Sequence, residues 1–441
     1  MMSRKLRIRF LVTVSVVVFP FVVDLRPRTP TEPGTVTAWS QDGSGSWEAG
    51  FASVLLAPPE GLPMGGYAAR RRATFEGVRD SPAVRAFTLA SAGVRISVVA
   101  VDVVLMPESM RFAVEQKLAR DVPDALWLVA THTHSGPGGH WDHPIAEWAG
   151  LGEFDSSWAE SLAESIAGAV RASATRLQPA RLRWGRGEVS DLAVPRSNGP
   201  EAPPVLRLLS VDDAVDIGVA LGGILLHPAH ATVLRESNRL LSSDWPGAAA
   251  RGLEDSLGGT WLVVSGPCGD LKPALERRDP EEYGLRVARR AVHVRDGASE
   301  VPTGHLAGST WVGPAPLGDA TGLVSRPFVR FGSNVLAWLV REPLRVDVLE
   351  IGEIRWIGLG AEPVRAVARR LENAYPGETA VVPLVNGYLG YVELPGRVRT
   401  REGEGMRTYF GPAFLDHLEI ATEEAVAGVA GVVPQGFSQP Q

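Results

Sequence analysis

Six of the nine histidines fall into two clusters, His132, His134, His140 and His143, then His227 and His230. Neutral imidazoles are common metal ligands, and two of them at i and i+2 in a strand project to the same side, toward one ion. His132 and His134 have that spacing, and the loop Ser135-Gly136-Pro137-Gly138-Gly139 follows at once. Its glycines let backbone approach a ligand closely. Imidazoles joined by a carboxylate suit zinc, with one position left open for water or substrate. The same pair, hydrogen-bonded in a loop beside a core strand, would do no chemistry. His140 and His143 can rim a pocket or brace a surface loop, and Asp244 can orient His227 as a carboxylate partner. The lone Cys268 lies in a Gly/Pro-rich turn beside Asp270. A cysteine nucleophile would need a base and a lowered pKa, and the sequence displays neither.

The elements that must position these groups share one layout, an apolar run of strand length followed by a polar residue. Leu126 to Ala130 leads into Thr131-His132-Thr133-His134, and Val219 to Leu226 leads into His227. Trp261 to Val264 leads into Ser265-Gly266-Pro267-Cys268-Gly269-Asp270, and Ile354 to Leu359 into Gly360-Ala361-Glu362. Val381 to Val385 leads into Asn386-Gly387-Tyr388, with Tyr391 just beyond. Continuous apolar runs suit strands covered on both faces, and reactive groups then collect past the strand ends. Between them, Trp158, Leu162, Ile166 and Val170 recur at helical spacing, with Ser157 and Glu160 as a capping box. Glu108 to Leu118, Tyr283 to Val292 and Pro363 to Leu371 also read as helices. The expectation is an α/β protein with mixed sheets and flanking helices in one catalytic domain.

With 441 residues, 45% hydrophobic and 21% charged, the chain can bury a large core. A formal charge of -6 without a basic stripe gives no footprint for nucleic acid. Arg4, Lys5, Arg7 and Arg9 precede the uncharged run Phe10 to Val23. That layout predicts a signal peptide or membrane anchor over residues 1–24, hence an exported protein of the cell envelope, membrane-tethered or secreted. Residues 25–46, rich in Pro, Thr, Ser and Gly, read as a flexible linker, and residues 47–435 as the folded, metal-dependent domain.

The motifs resemble the catalytic domain of the neutral, non-lysosomal ceramidase family. Gly61-Leu62-Pro63-Met64-Gly65-Gly66-Tyr67, Arg85-Ala86-Phe87 and Val101-Asp102 are similar to its start, and Thr131 to Gly139 carries its most specific signature. Pro195-Arg196-Ser197, His227-Pro228-Ala229-His230, Asn238 and Ser242-Ser243-Asp244 continue the match. Ala361-Glu362-Pro363, Asn386 to Tyr391 and Phe410-Gly411-Pro412 complete it, so that the resemblance runs from about residue 47 to 420.

The resemblance implies one zinc ion (Zn2+) held by His132, His227, Glu362 and Tyr391, with His134 and Arg196 facing the substrate carbonyl. It departs at Gly269-Asp270-Leu271-Lys272-Pro273, where Lys272 stands in the place of the family's serine. Lysine brings a point charge instead of a compact hydroxyl and can hold an anionic substrate group. Gly403 likewise falls where a substrate-contacting tyrosine belongs, with Tyr409 nearby. The expected function is a zinc-dependent hydrolase of an amide or ester in a small molecule or lipid, ceramide-like in character, with His134, Arg196 and Lys272 as catalytic candidates. The alternative is a catalytically altered, metal-containing binding module of the envelope.

Overall fold

Each of the apolar runs singled out above becomes a strand in the computed structural model, which describes residues 34–41, 45–70, 73–197, 203–216, 218–340 and 342–431. Ala125–Ala130, Ala220–His227, Thr260–Ser265, Ile354–Leu359 and Glu378–Pro383 are buried along nearly their whole length. The larger sheet orders its main strands Thr260–Ser265, Ala220–His227, Val205–Asp213, Gln178–Glu188, Glu48–Leu55, Ala83–Ser91, Val94–Val101 and Ala125–Ala130. Only the outermost pair at each end is parallel, and the pairs between are antiparallel. A second sheet orders Thr35–Gln41, Leu306–Gly313, Leu344–Ile351, Ile354–Leu359 and Glu378–Pro383.

The two sheets face each other across one apolar core, so both faces of each sheet are covered and the strands need no polar alternation. Trp127 of the large sheet packs 6.4 Å from Trp356 of the smaller, and Trp184 lies 6.1 Å from Trp356 on the other side. Each large buried side chain contributes about 1.5–3 kcal/mol through the apolar area it removes from water. Helices Glu108–Leu118 and Ser156–Ala174 cover one half of the large sheet's outer face, and Asp244–Leu257 and Pro280–Asp296 cover the other. Arg365–Asn373 and Phe414–Val429 cover the smaller sheet. This is an α/β architecture of mixed sheets with flanking helices.

Asn386 joins the sheets. Its Oδ1 accepts from Leu128 N at 2.9 Å, and its Nδ2 donates to Leu126 O at 2.9 Å and Asp347 Oδ2 at 3.0 Å. A buried amide satisfied on both sides in this way fixes one strand edge against the other sheet.

Three local expectations are corrected. Part of the stretch expected as a flexible linker, Thr35–Gln41, is the edge strand of the smaller sheet, paired in register from Thr35 with Val312 to Gln41 with Leu306. Its Thr, Val and Trp favour a pleated, half-buried surface, and Trp39 packs onto the core. Helix Ser156–Ala174 is capped by Asp155, which accepts from Trp158 N at 2.9 Å, and not by the Ser157/Glu160 box. Membrane tethering is also corrected: among the described residues no helix is long and apolar enough to cross a membrane. The signal or anchor expected over residues 1–24 lies outside the described residues.

Candidate metal centre

His132 and His134 do not sit in a strand. They lie in the loop just past Ala125–Ala130, where His132 takes a left-handed backbone with φ 64°. A non-glycine residue there is held against its preference, and such strain persists only where surrounding contacts over-determine it. Here His132 N bonds Val103 O at 3.1 Å, and its ring Nδ1–H donates to Val104 O at 2.6 Å. That bond fixes the tautomer and leaves Nε2 as an acceptor, 3.1 Å from Glu362 Oε2.

His230 is built the same way from the other histidine cluster. Its Nδ1–H donates to Leu271 O at 3.0 Å, and its Nε2 lies 3.1 Å from the same Glu362 oxygen and 3.2 Å from the Tyr391 hydroxyl. Glu362 follows strand Ile354–Leu359 and pairs in parallel register with Tyr391, so one bridge of backbone places carboxylate and phenol together. Tyr388 donates to the other carboxylate oxygen, Oε1, at 2.7 Å.

His134 completes the cluster. The residue is half-buried, yet both ring nitrogens are buried and neither has a hydrogen-bond partner, an arrangement costly for a polar group unless something else occupies its lone pair. Its backbone is held by His134 N to Ala231 O at 3.1 Å and by the buried Arg70, whose Nη1 donates to His134 O at 2.6 Å. Arg70 also donates to Gly65 O and Arg235 O, tying three loops to one guanidinium. Gly66 has φ 105° and passes so close to His134 that a Cβ there would meet its Cα at 2.6 Å. Gly138 of the glycine-rich loop has the same function against protein and not ligand, since a Cβ would meet Leu151 O at 2.2 Å.

His227, expected as a ligand, stands elsewhere. It is still within strand Ala220–His227, its Nε2 lies 2.9 Å from the Tyr283 hydroxyl, and its ring lies edge-on to Trp245 under the helices. His230, three residues on and past the strand end, takes the place at Glu362. Asp244 does not orient His227 either. Its carboxylate accepts from Val233, Leu234 and Trp245 backbone N–H groups and shapes the loop after His230. His140 is buried and bonded to Leu105 O, whereas His143 stacks on Trp141 at the rim of a cavity. Cys268 is buried, and desolvation pushes its thiol up, so it offers no thiolate.

The electrostatics sharpen the picture. Burial alone would raise the Glu362 carboxyl, but His132 and His230 against its oxygens hold it well below the usual range. Burial, then the neighbouring His132 and His230, push His134 well below an ordinary histidine, and burial with Arg196 brings His230 down to about 3. The Arg196 guanidinium lies against the His230 ring and 5.9 Å from the centre of the Tyr391 ring. Burial works against its charge, yet Tyr391, Glu404 and Glu362 hold it protonated.

These residues fit a divalent metal. His132, His134 and His230 each offer a ligand atom, all within 4.8 Å of one another. Two of the rings spend Nδ1–H on backbone carbonyls and keep Nε2 for the centre, the usual support for ligating imidazoles. Zinc accepts such nitrogen and carboxylate donors.

Two cavities meet at this cluster, sharing Tyr67, His134, Tyr391 and Arg407 in their walls. The larger, about 820 Å³, includes Arg196 and Lys272, and the smaller, about 510 Å³, includes His132, Glu362, Tyr388 and Tyr409. Lys272 is exposed, in the short strand Leu271–Pro273 that pairs with Ala193–Pro195, and so reaches the cavity but not the histidine cluster's hydrogen bonds.

Residues 56–266 match the family model described as neutral/alkaline non-lysosomal ceramidase, N-terminal. Over that stretch the chain is similar to the neutral ceramidase family. A neutral ceramidase of Pseudomonas aeruginosa is 24% identical, over 79% of this chain and 67% of its own. The neutral ceramidase of Mycobacterium tuberculosis is 26% identical, over 36% of this chain and 26% of its own. The crystal structure of neutral ceramidase from Pseudomonas aeruginosa superposes with a TM-score of 0.75 at 20% identity, covering 90% of this chain and 77% of that one. At that identity the superposition shows the ceramidase fold alone.

Tyr388 and His230 are the site residues that the sequence reading did not assign. The strand-end rule could have found His230, because His227 ends the strand while His230 lies in the loop beyond it.

Proposed function

We propose that this chain is a zinc-dependent hydrolase of amide or ester bonds, acting on an N-acyl, ceramide-like small molecule or lipid. The observation that carries it is one buried carboxylate oxygen, Glu362 Oε2, shared at 3.1 Å by His132 and His230 beside the unpartnered His134 ring. His132, His230 and Glu362 would hold the metal, with Tyr391 beside them. Zinc in such a site supplies Lewis acidity toward a carbonyl and a water acidic enough to attack near neutral pH.

The chain's own residues do the rest. His134, neutral because buried, accepts a proton from the attacking water and returns it to the leaving nitrogen or oxygen. Arg196, held charged beside His230, stabilises negative charge developing on the carbonyl oxygen. Tyr388 orients the Glu362 carboxylate, Arg70 holds the backbone of His134, and Gly66 leaves room for its ring. Lys272, where the family resemblance places a serine, serves the substrate side of the larger cavity and not proton transfer at the cluster. The test is dialysis against a chelator, then zinc readdition, with a panel of N-acyl substrates. Activity lost and restored with zinc supports the reading, and hydrolysis indifferent to metal overturns it.

A further inference from the structure

The two chambers that meet at the cluster differ in character. The smaller is walled mostly by apolar side chains away from the cluster, among them Val104, Leu105, Trp141, Leu151, Leu323 and Val340, with Glu342 as the one charged group beyond Glu362 and the shared Arg407. The larger is cationic: its wall carries Arg196, Arg235, Lys272, Arg278, Arg286 and Arg407 against three acids, Asp191, Glu236 and Glu276. One of those acids is already used, since Asp191 pairs with Arg290 at 2.9 Å. Arg407 is likewise paired, with Glu404 at 2.6 Å. Among the described residues Lys272, Arg235 and Arg278 form no ion pair, and Arg286 donates only to the backbone oxygens of Ala274 and Asp191. Both chambers fall within the range of about 300–1,000 Å³ typical of ligand sites.

A concave wall of unpaired cations focuses a positive potential, which attracts an anion and disfavours a neutral ligand that leaves those charges unanswered. The apolar chamber favours the opposite, a chain without charge. A substrate whose scissile bond lies at the shared residues His134 and Tyr391 must extend one arm into each.

Resting on the hydrolase reading above, we propose that the substrate is an N-acyl compound whose amine part carries an anion, a carboxylate or a phosphate. The acyl chain fills the apolar chamber, and the anion sits against Lys272, Arg235 and Arg278. In the reaction, water oxygen bonds to the acyl carbon as the carbon–nitrogen bond breaks. One water proton passes to the leaving nitrogen and the other, released as the fatty acid ionises, protonates the product amine, so the products are a fatty carboxylate and an anion-bearing ammonium.

The test compares matched pairs with one acyl chain: N-dodecanoyl-serine against N-dodecanoyl-serinamide, and phosphorylated N-dodecanoyl-ethanolamine against the unphosphorylated amide. The zinc-loaded protein should favour the anionic member of at least one pair by about tenfold or more in kcat/KM, the scale of one charge-assisted hydrogen bond. Which pair shows the preference tells carboxylate from phosphate. The ratio should fall toward one in the exposed-site double variant Lys272→Ala/Arg278→Ala, and with added salt. A wild-type ratio of one or less, or a ratio unmoved by the double variant, overturns this inference while leaving the hydrolase reading intact. Should no member be cleaved, the hydrolase reading fails. Equilibrium binding of the same uncleaved pairs, with the same expected and contrary ratios, then decides the charge preference by itself.

Discussion

His132 and His230 follow strands near opposite ends of one sheet, yet their rings lie 4.8 Å apart, centroid to centroid. The large sheet must curl for this to happen. Ser265 Oγ at one edge reaches Thr131 O at the other at 3.2 Å, closing the approach. The smaller sheet then delivers Glu362 and Tyr391 to the same point. The site is therefore a property of the whole fold, and changes far from it should be felt there.

Asn386 illustrates this. Replacing it with Ala removes three side-chain hydrogen bonds, two of them to the large sheet, and deprives the buried Leu128 N–H and Leu126 carbonyl of this partner, while Asp347 keeps Arg345 and Thr310. Asn386→Ala should lower unfolding stability by about 2–4 kcal/mol, summing such losses. Urea titration checks it, and a midpoint unchanged from wild type would show that the sheets hold together without this amide.

Tyr388→Phe keeps the ring and deletes only the bond to Glu362 Oε1. Loss of a partner that orients a metal-binding carboxylate costs about 10–100-fold in metal affinity or activity. Near-normal zinc affinity and kcat in a folded variant would mean that Glu362 is oriented without it.

Gly66→Ala combines a left-handed backbone with a collision against His134. The strain costs about 1–3 kcal/mol of stability, readable as a fall in Tm. Displacement of His134 should also lower kcat by about 100-fold, as for a misplaced catalytic group. Full activity would place proton transfer elsewhere.

Asp244 makes a prediction about pH. Burial raises its carboxyl from 3.8 to about 6, despite three backbone N–H donors that lower it. The unfolded chain thus releases this proton first. The contribution to stability is complete below pH 4, declines as pH rises toward 6 and then levels, a loss of about 3 kcal/mol for a shift of this size. Comparing Asp244→Asn with wild type at pH 4 and pH 7 isolates it. The variant should gain relative to wild type on going to pH 7, and a relative loss would reverse the sign assigned here.

Much of this was legible in the chain. Continuous apolar runs marked the buried strands, and the residues just beyond them, His132, His134 and Glu362, form the cluster. Periodicity could not choose between His227 and His230, because the choice depends on which side of the strand end each falls and on helices Asp244–Leu257 and Pro280–Asp296 claiming the former. It was equally silent on Thr35–Gln41, whose pairing partner, Leu306–Gly313, lies far along the chain. The hydrogen bond from Tyr388 to Glu362 and the reach of Arg70 across three loops are tertiary relationships that local spacing does not encode.

In the proposed site His230, and not His227, joins His132 and Glu362 around one metal. Zinc content per chain, measured after gel filtration of wild type, His230→Ala and His227→Gln, tests it most directly. One zinc in wild type and in folded His227→Gln, with none in His230→Ala, is the expected result. Zinc retained by His230→Ala and lost from His227→Gln, or a wild type that takes up no zinc at all, would contradict it.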